Sequence, residues 1–350
     1  MGYNLTANRQ RVTWIDSCKG LAMLLVVLGH VINGYQNTGI FSSYDGVMTP
    51  VYRWIYSFHM ALYFVISGFV FYLAYGAKRI ERKKRYNNQV INLVFVYFIF
   101  SIIQWIIKVV MSSAANESLT LMDLLLMPVI PMAPYWYLWV LVFYYLIFHW
   151  FLGKNISNKI MFAVTAAISI IGCFVPAWTR NSKNFPYYIL FFWLGIYLAK
   201  TDFQILRKKW MLPVSLTIST IIAYLVFGQQ IDIKSIPVAN LAAALCTTFF
   251  ILSFFALVFN NRKSGPLELI GKYSLEIYVT HCIITAGNRV ILPKIGINNF
   301  HINVLVNFVL ATAIPILCSF VLKRINLHKL IFRPVTWWSD RKESKQNLHR

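Results

Sequence analysis

An all-α polytopic membrane protein, a bundle of about ten transmembrane helices with both termini cytoplasmic, is the fold class this sequence predicts. Three observations predict it. Hydrophobic residues make up 58% of the 350 positions and charged ones only 13%, against ~25% charged in a soluble domain, so water is not the main solvent. Ten stretches approach the ~20 mostly apolar residues that a spanning helix needs. Lys and Arg, finally, gather at alternate ends of these stretches, as retention on one side of a bilayer requires.

The first stretch, 15–35, follows Arg9 and Arg11 as a secretory leader would, yet it lacks an Ala-x-Ala cleavage pattern and carries Lys19 and His30. It is read as a retained first helix. The second, 54–75, ends at the densest basic run of the chain, Lys78 to Arg85, and the third, 91–112, starts beyond it. An amphipathic segment from Leu119 to Ile130 is expected in an outer loop. The fourth stretch, 134–152, opens on Tyr135, Trp136 and Tyr137, rings of the kind that favour the headgroup level. The fifth, sixth and seventh, 160–177, 185–200 and 211–228, are joined by short loops, the sixth being the shortest. The eighth, ninth and tenth are 238–259, 273–292 and 303–323.

With the N-terminus inside, 25 of the 33 Lys and Arg fall on inner segments. The formal net charge of +22 is thus explained by topology and lipid contact; no nucleic-acid module is recognisable, and no nucleic-acid partner is expected. Cys18, Cys173, Cys246, Cys282 and Cys318 lie in or beside apolar segments without CxxC spacing, so neither a disulfide framework nor a metal site is expected. No polar linker and no internal repeat divides the chain. The reading is one transmembrane domain, 1–325, and a basic cytoplasmic tail, 326–350, whose Trp337 and Trp338 suit an interfacial anchor.

Ionisable residues inside a membrane are costly, so each raises a functional hypothesis. The first helix holds Asp16, Lys19 and His30. Lys19 and His30 are eleven residues apart, close to three turns, which puts them about 20° apart on one face and ~16 Å apart along the axis. Asp16 shares that side. The plain reading is an interfacial ion pair and a histidine bonded to a neighbouring helix. His59, about a turn and a half into the second helix, should match His30 in depth; His281, near the middle of the ninth, is matched less securely. Glu276, five residues before it, lies about 140° away around that helix. Clustered imidazoles suit general acid/base work near neutral pH or proton-coupled transport. Metal binding is disfavoured because HxxxH and HxxE spacings are absent. In the basic loop, Arg82 and Arg85 share a face if the third helix begins early, and their planar forks could clamp phosphates.

Together these residues resemble the acyltransferase 3 family of membrane O-acyltransferases, particularly its shorter sugar-acetylase members. The resemblance runs over nearly the whole chain. It is carried by Asp16-Ser17-Cys18-Lys19-Gly20 with Val26-Val27-Leu28-Gly29-His30, by Phe58-His59-Met60 with Phe64-Val65-Ile66-Ser67-Gly68, by Arg82-x-x-Arg85, by Trp136-Tyr137-Leu138, and by Ser274-Leu275-Glu276-Ile277-Tyr278 with His281. It implies transfer of an acyl group, usually acetyl from acetyl-CoA, to a hydroxyl of an extracytoplasmic or lipid-linked glycan. It also implies His30 as the catalytic residue. His59 would orient or relay, Asp16 and Lys19 would form an inner gate, and Arg82, Arg85 and Lys19 would hold the CoA phosphates. Trp136, Glu276 and His281 are assigned to the acceptor. Two routes stay open at His30, a general base and a transient acyl-histidine.

Many relatives carry a hydrolase-like domain after the bundle. This chain ends at the tail, so direct transfer or a separate partner is expected. No permanently bound cofactor is expected, acetyl-CoA being a substrate, and self-association is left open. The expected location is a bacterial plasma membrane. Transfer of succinyl or another small acyl group is the alternative within the class. Export of a glycan or proton-coupled transport is the alternative outside it, and the two related halves common in transporters are not visible.

Overall fold

In the computed structural model, residues 13–75, 79–110, 119–152, 154, 156–176, 183–259 and 265–348 are described. Among them every regular element is helical. In chain order they are α1 (Thr13–Thr38), α2 (Asp45–Tyr75), α3 (Arg79–Val110), α4 (Leu121–Leu126), α5 (Trp136–Leu152), α6 (Asn158–Phe174), α7 (Asn184–Tyr187), α8 (Ile189–Lys200) and α9 (Met211–Phe227). They continue with α10 (Pro237–Val258), α11 (Pro266–Lys272), α12 (Ser274–Lys294), α13 (Phe300–Arg324), α14 (His328–Phe332) and α15 (Pro334–Leu348). Each of the ten apolar stretches coincides with a helix, the sixth with the α7–α8 pair.

Five segments are long and apolar enough to cross a membrane: Thr13–Thr38, Ser42–Ala74, Tyr86–Val110, Pro237–Val258 and Phe300–Arg324. The others are shorter, as with the 17 residues of α5, α6 and α9, or more polar, as with α12. The five spans differ in where their side chains go. α1 and α2 bury most of theirs inside the bundle, whereas α3 and α13 leave most facing out. The outward faces carry Ile102, Ile106 and Val110 on α3 and Ile302, Leu305 and Val309 on α13, all exposed. In water such faces would be an aggregation liability; against lipid tails they are the ordinary surface of a membrane protein.

Two glycine crossings set the central geometry. Where α2 meets α8, a Cβ at Gly68 would lie 1.9 Å from the Phe192 carbonyl oxygen, and one at Gly195 would lie 1.9 Å from that of Val65. Where α1 meets α11, a Cβ at Gly20 would lie 2.0 Å from the Leu267 carbonyl oxygen and one at Gly271 1.7 Å from that of Asp16. Helices that cannot use the hydrophobic effect against lipid gain their attraction from such close backbone approach. Because backbone cannot yield as a side-chain tip can, Gly195→Ala is expected to cost about 2 kcal/mol or more. Gly287→Ala, with nothing within 4 Å of its Cβ, should be silent. Size-exclusion profiles and melting temperatures of the two variants in detergent check the contrast.

The segment after α13 packs back on the bundle. Phe332 stacks on Phe100 of α3 at 5.7 Å, and the Val335 N–H donates to Asn92 Oδ1 at 3.3 Å. Trp337 is half-buried, and Trp338 is fully outward. Further along α3, α4 begins with a capping box between Thr120 and Asp123 and is pinned by the Trp105 indole N–H, which donates to the Thr120 carbonyl at 2.8 Å.

Candidate active site

The histidine face of α1 ends at His30, and Gly29 beside it leaves room for a ring: a Cβ there would sit 2.8 Å from Tyr56 Cε2. α2 and α12 close around this point. The His30 ring lies edge-on to that of His281, centroids 4.9 Å apart, and 6.3 Å from Tyr56. Tyr56 in turn lies 4.7 Å from His59. His281 is therefore at the depth of His30, and His59 reaches it through the tyrosine.

The two flanking histidines are locked by their own helices. His59 Nδ1 bonds the Ile55 carbonyl at 2.7 Å, and His281 Nδ1 bonds those of Tyr278 and Ile277 at 2.7 and 3.1 Å. A carbonyl only accepts, so Nδ1 carries the proton in both, and Nε2 of the neutral ring is left as the lone-pair nitrogen. The Cys282 thiol donates to that nitrogen of His281 at 3.3 Å. His30 is half-buried and makes no hydrogen bond to the described residues, so its ring nitrogens are open to an incoming group.

Three turns toward the N-terminus, Lys19 stands 3.9 Å from Asp16. Its side chain borders a cavity of about 160 Å³ between α1, α2, α3, α5 and α12, whose wall includes Tyr63, Ser67, Tyr137, Ser274 and Tyr278. Tyr278 lies 6.0 Å from the His281 ring. The cavity's α1 wall is Lys19 and Met23, and the histidine pair lies outside its lining, behind Tyr278.

Beyond His30 the buried side chains turn polar. Tyr35 donates to Asn303, while Asn307 Nδ2 donates to Tyr35 at 3.1 Å and to the Thr285 carbonyl at 3.3 Å. Asn288 donates to Asn307 at 3.1 Å. The buried Arg289 reaches the backbone of Gly34, where a Cβ would meet its guanidinium at 2.5 Å. From the turn between α9 and α10, the Lys234 ammonium approaches to 5.2 Å from the Tyr56 ring. Loss of water around that ammonium pushes its pKa down, an effect Asp232 opposes and Lys183 reinforces.

The remaining candidate residues lie elsewhere. The side chains of Arg82 and Arg85 fall outside the described residues, although the backbone of α3 is helical through both. Trp136 stacks on Tyr188 at 5.7 Å within the aromatic core rather than beside His30. Glu276 points away from His281 and accepts from His328 Nε2–H at 2.9 Å, both side chains being about 10% exposed. This pair lines a cationic groove of about 870 Å³ under α14 and α15, bordered by Lys323, Arg333 and Arg341. Removing one member of a buried bond to a charged group costs about 2 kcal/mol. His328→Ala is expected to lower the melting temperature and to make 326–348 sensitive to protease; an unchanged digestion pattern would show that the tail does not depend on this bond.

Sequence reasoning did not single out Tyr56, Cys282 or the asparagine cluster. Asn303 and Asn307, four apart in an otherwise apolar helix, were a visible signal. The partners that satisfy them come from other helices and left no trace in spacing.

Compared with known proteins, the chain matches the model of the Acyltransferase domain family (Acyl_transf_3) over residues 12–324. It is 26% identical over 225 residues to Nodulation protein NolL of Mesorhizobium japonicum, covering 61% of this chain and 56% of that protein. To Nodulation protein NolL of Sinorhizobium fredii it is 27% identical over 232 residues, covering 64% and 59%. The chain therefore spans under two thirds of these two relatives. With Inner membrane protein YcfT of Escherichia coli it shares 24% identity over 314 residues, 79% of this chain and 80% of that one. No solved structure matches the chain.

Proposed function

The chain belongs to this acyltransferase family, and from that premise we propose that it is a membrane-bound O-acetyltransferase carrying acetyl from cytoplasmic acetyl-CoA to a hydroxyl of an extracytoplasmic or lipid-linked glycan. In this reading α5, α6, α7–α8, α9 and α12 cross the bilayer with the five longer spans. A helix of 17 residues is ~26 Å long, near the ~30 Å hydrocarbon thickness. Ten crossings and the bias of Lys and Arg put both termini in the cytoplasm of a bacterial cell. Lys19 then stands at the inner surface and His30 beyond the midplane.

The observation that carries the proposal is the cavity that Lys19 borders, whose wall at Tyr278 lies 6.0 Å from the His281 ring that packs on His30. CoA phosphates would pair with Lys19, Arg82 and Arg85, and the pantetheine arm would follow the cavity toward Tyr278. The ~16 Å rise from Lys19 to His30 is within reach of such an arm. The sugar oxygen attacks the thioester carbonyl carbon as His30 takes the hydroxyl proton. The C–S bond then breaks, and the CoA thiolate recovers a proton from the imidazolium. Holding donor and acceptor on either side of one imidazole replaces a collision between them by an oriented encounter. His281, fixed as the Nδ1–H form by two carbonyls, keeps its edge toward His30 and orients it. The asparagine cluster and Arg289, one to two turns outward, supply the amide and guanidinium groups that bind sugar hydroxyls.

Purified protein in nanodiscs, given acetyl-CoA, succinyl-CoA and longer acyl donors, tests the donor. Mass spectrometry of surface glycans from a deletion strain tests the acceptor. Loss of O-acetyl groups restored by the gene supports the proposal; glycans with unchanged acylation overturn it.

A further inference from the structure

Three ligating side chains converge from two helices at the point where acyl transfer is proposed. His30, His281 and Cys282 each direct a ring nitrogen or sulfur to within 4.8 Å of the others. The expectation of no metal site rested on spacing within single helices, and no such spacing describes a site that α1 and α12 build together. We propose that His30, His281 and Cys282 bind a borderline transition-metal dication such as Zn²⁺, and that its occupancy removes His30 from acyl transfer.

Donor type selects the ion. Two imidazoles and a thiol suit zinc and its neighbours, whereas magnesium and calcium require oxygen. The distances are close to what the ion needs. Bonds of about 2.0–2.1 Å to nitrogen and 2.3 Å to sulfur at a tetrahedral angle imply an N···S edge of about 3.6 Å. The Cys282 Sγ to His281 Nε2 distance is 3.3 Å. His30 must approach by roughly an ångström, within reach of a ring rotation, and has no hydrogen bond to the described residues to give up.

The tautomer is also prepared. A ligating histidine characteristically donates its other N–H to a carbonyl or carboxylate, which fixes the ring and raises its basicity. His281 does so twice, to Tyr278 and Ile277. On binding, the Cys282 S–H proton passes to solvent, a sulfur–metal bond forms, and the two imidazole lone pairs complete three positions. The fourth is left for water or an acceptor hydroxyl. The binding claim stands independently of the acyl-transfer reading; the inhibition claim rests on it.

The test uses the full-length protein in detergent, free of any affinity tag, titrated with Co²⁺ and then with competing Zn²⁺. Bound cobalt should show the visible bands of a tetrahedral ion and a thiolate charge-transfer band, both removed by zinc. Cys282→Ala should lose the charge-transfer band and at least about tenfold in affinity, and Cys318→Ala, a control at an exposed cysteine, should change neither. Absence of the bands in the parent protein, or their persistence in Cys282→Ala, overturns the site. In the activity arm, Zn²⁺ should inhibit acetyl transfer by the parent and not by Cys282→Ala. Zinc bound at the cluster with transfer undiminished would overturn His30 as the base while leaving the metal site standing.

Discussion

His30→Ala is expected to lower acetyl transfer by about 10²–10⁴-fold, the usual contribution of a positioned acid or base, while the amount of folded protein in the membrane stays normal. The structural side of this expectation follows from how little His30 holds. It is half-buried and bonded to none of the described residues, so alanine costs the fold only some packing against Tyr56 and His281. The comparison with its neighbours is the informative part. His281→Ala removes a fully buried ring with two backbone bonds, so lost activity there should come with a lower melting temperature. His59→Ala should behave likewise, its ring being buried and bonded to Ile55. A His30→Ala variant that keeps most of its activity would remove the general base and the acyl-histidine together. If instead the activity falls, radiolabelled acetyl on the parent protein in the absence of acceptor separates the two routes, because only the acyl-histidine retains it.

The parts of this site that were legible in the sequence are those governed by a single helix. The 3.6-residue period alone puts Lys19 and His30 on one face and separates Glu276 from His281 by about 140°. In the structure Lys19 borders the cavity, His30 packs on His281 one tyrosine beyond it, and Glu276 is bonded away to His328. What was not legible depends on how helices register against one another. His281 sits against His30 because α12 lies at a particular depth beside α1, between the contact of Gly271 on the preceding α11 with the Asp16 carbonyl and the Asn288–Asn307–Tyr35 chain that ties α12 through α13 to α1. No spacing within α12 encodes it. The same holds for His328, whose partner is 52 residues away, and for the convergence of Cys282 with two histidines. Five of the ten expected spans meet a length and composition test; α12 does not, because Glu276, His281, Asn288 and Arg289 interrupt its apolar run.

Removing the cations proposed to hold the donor should act on donor affinity and leave the chemistry nearly untouched. Charge-assisted bonds contribute about 1.5–3 kcal/mol each, so Lys19→Met is expected to raise KM for acetyl-CoA by roughly 10- to 150-fold with kcat little changed, the pattern of lost uniform binding. Asp16 complicates the single variant, since its carboxylate is buried and loses a cation 3.9 Å away. A buried carboxylate deprived of this cation would weaken the N-terminal end of α1 and mimic a binding defect. Asp16→Asn with Lys19→Met relieves that penalty. If the raised KM persists in the double variant, Lys19 acts on the donor; if it returns to the parent value, Lys19 serves Asp16. Arg82→Ala with Arg85→Ala provides the independent arm, because two bidentate forks on phosphate should be worth at least as much as one ammonium. Unchanged acetyl-CoA affinity in that pair, measured by direct binding, would assign the basic run to membrane orientation and leave Lys19 as the donor's cation at the inner mouth of the cavity.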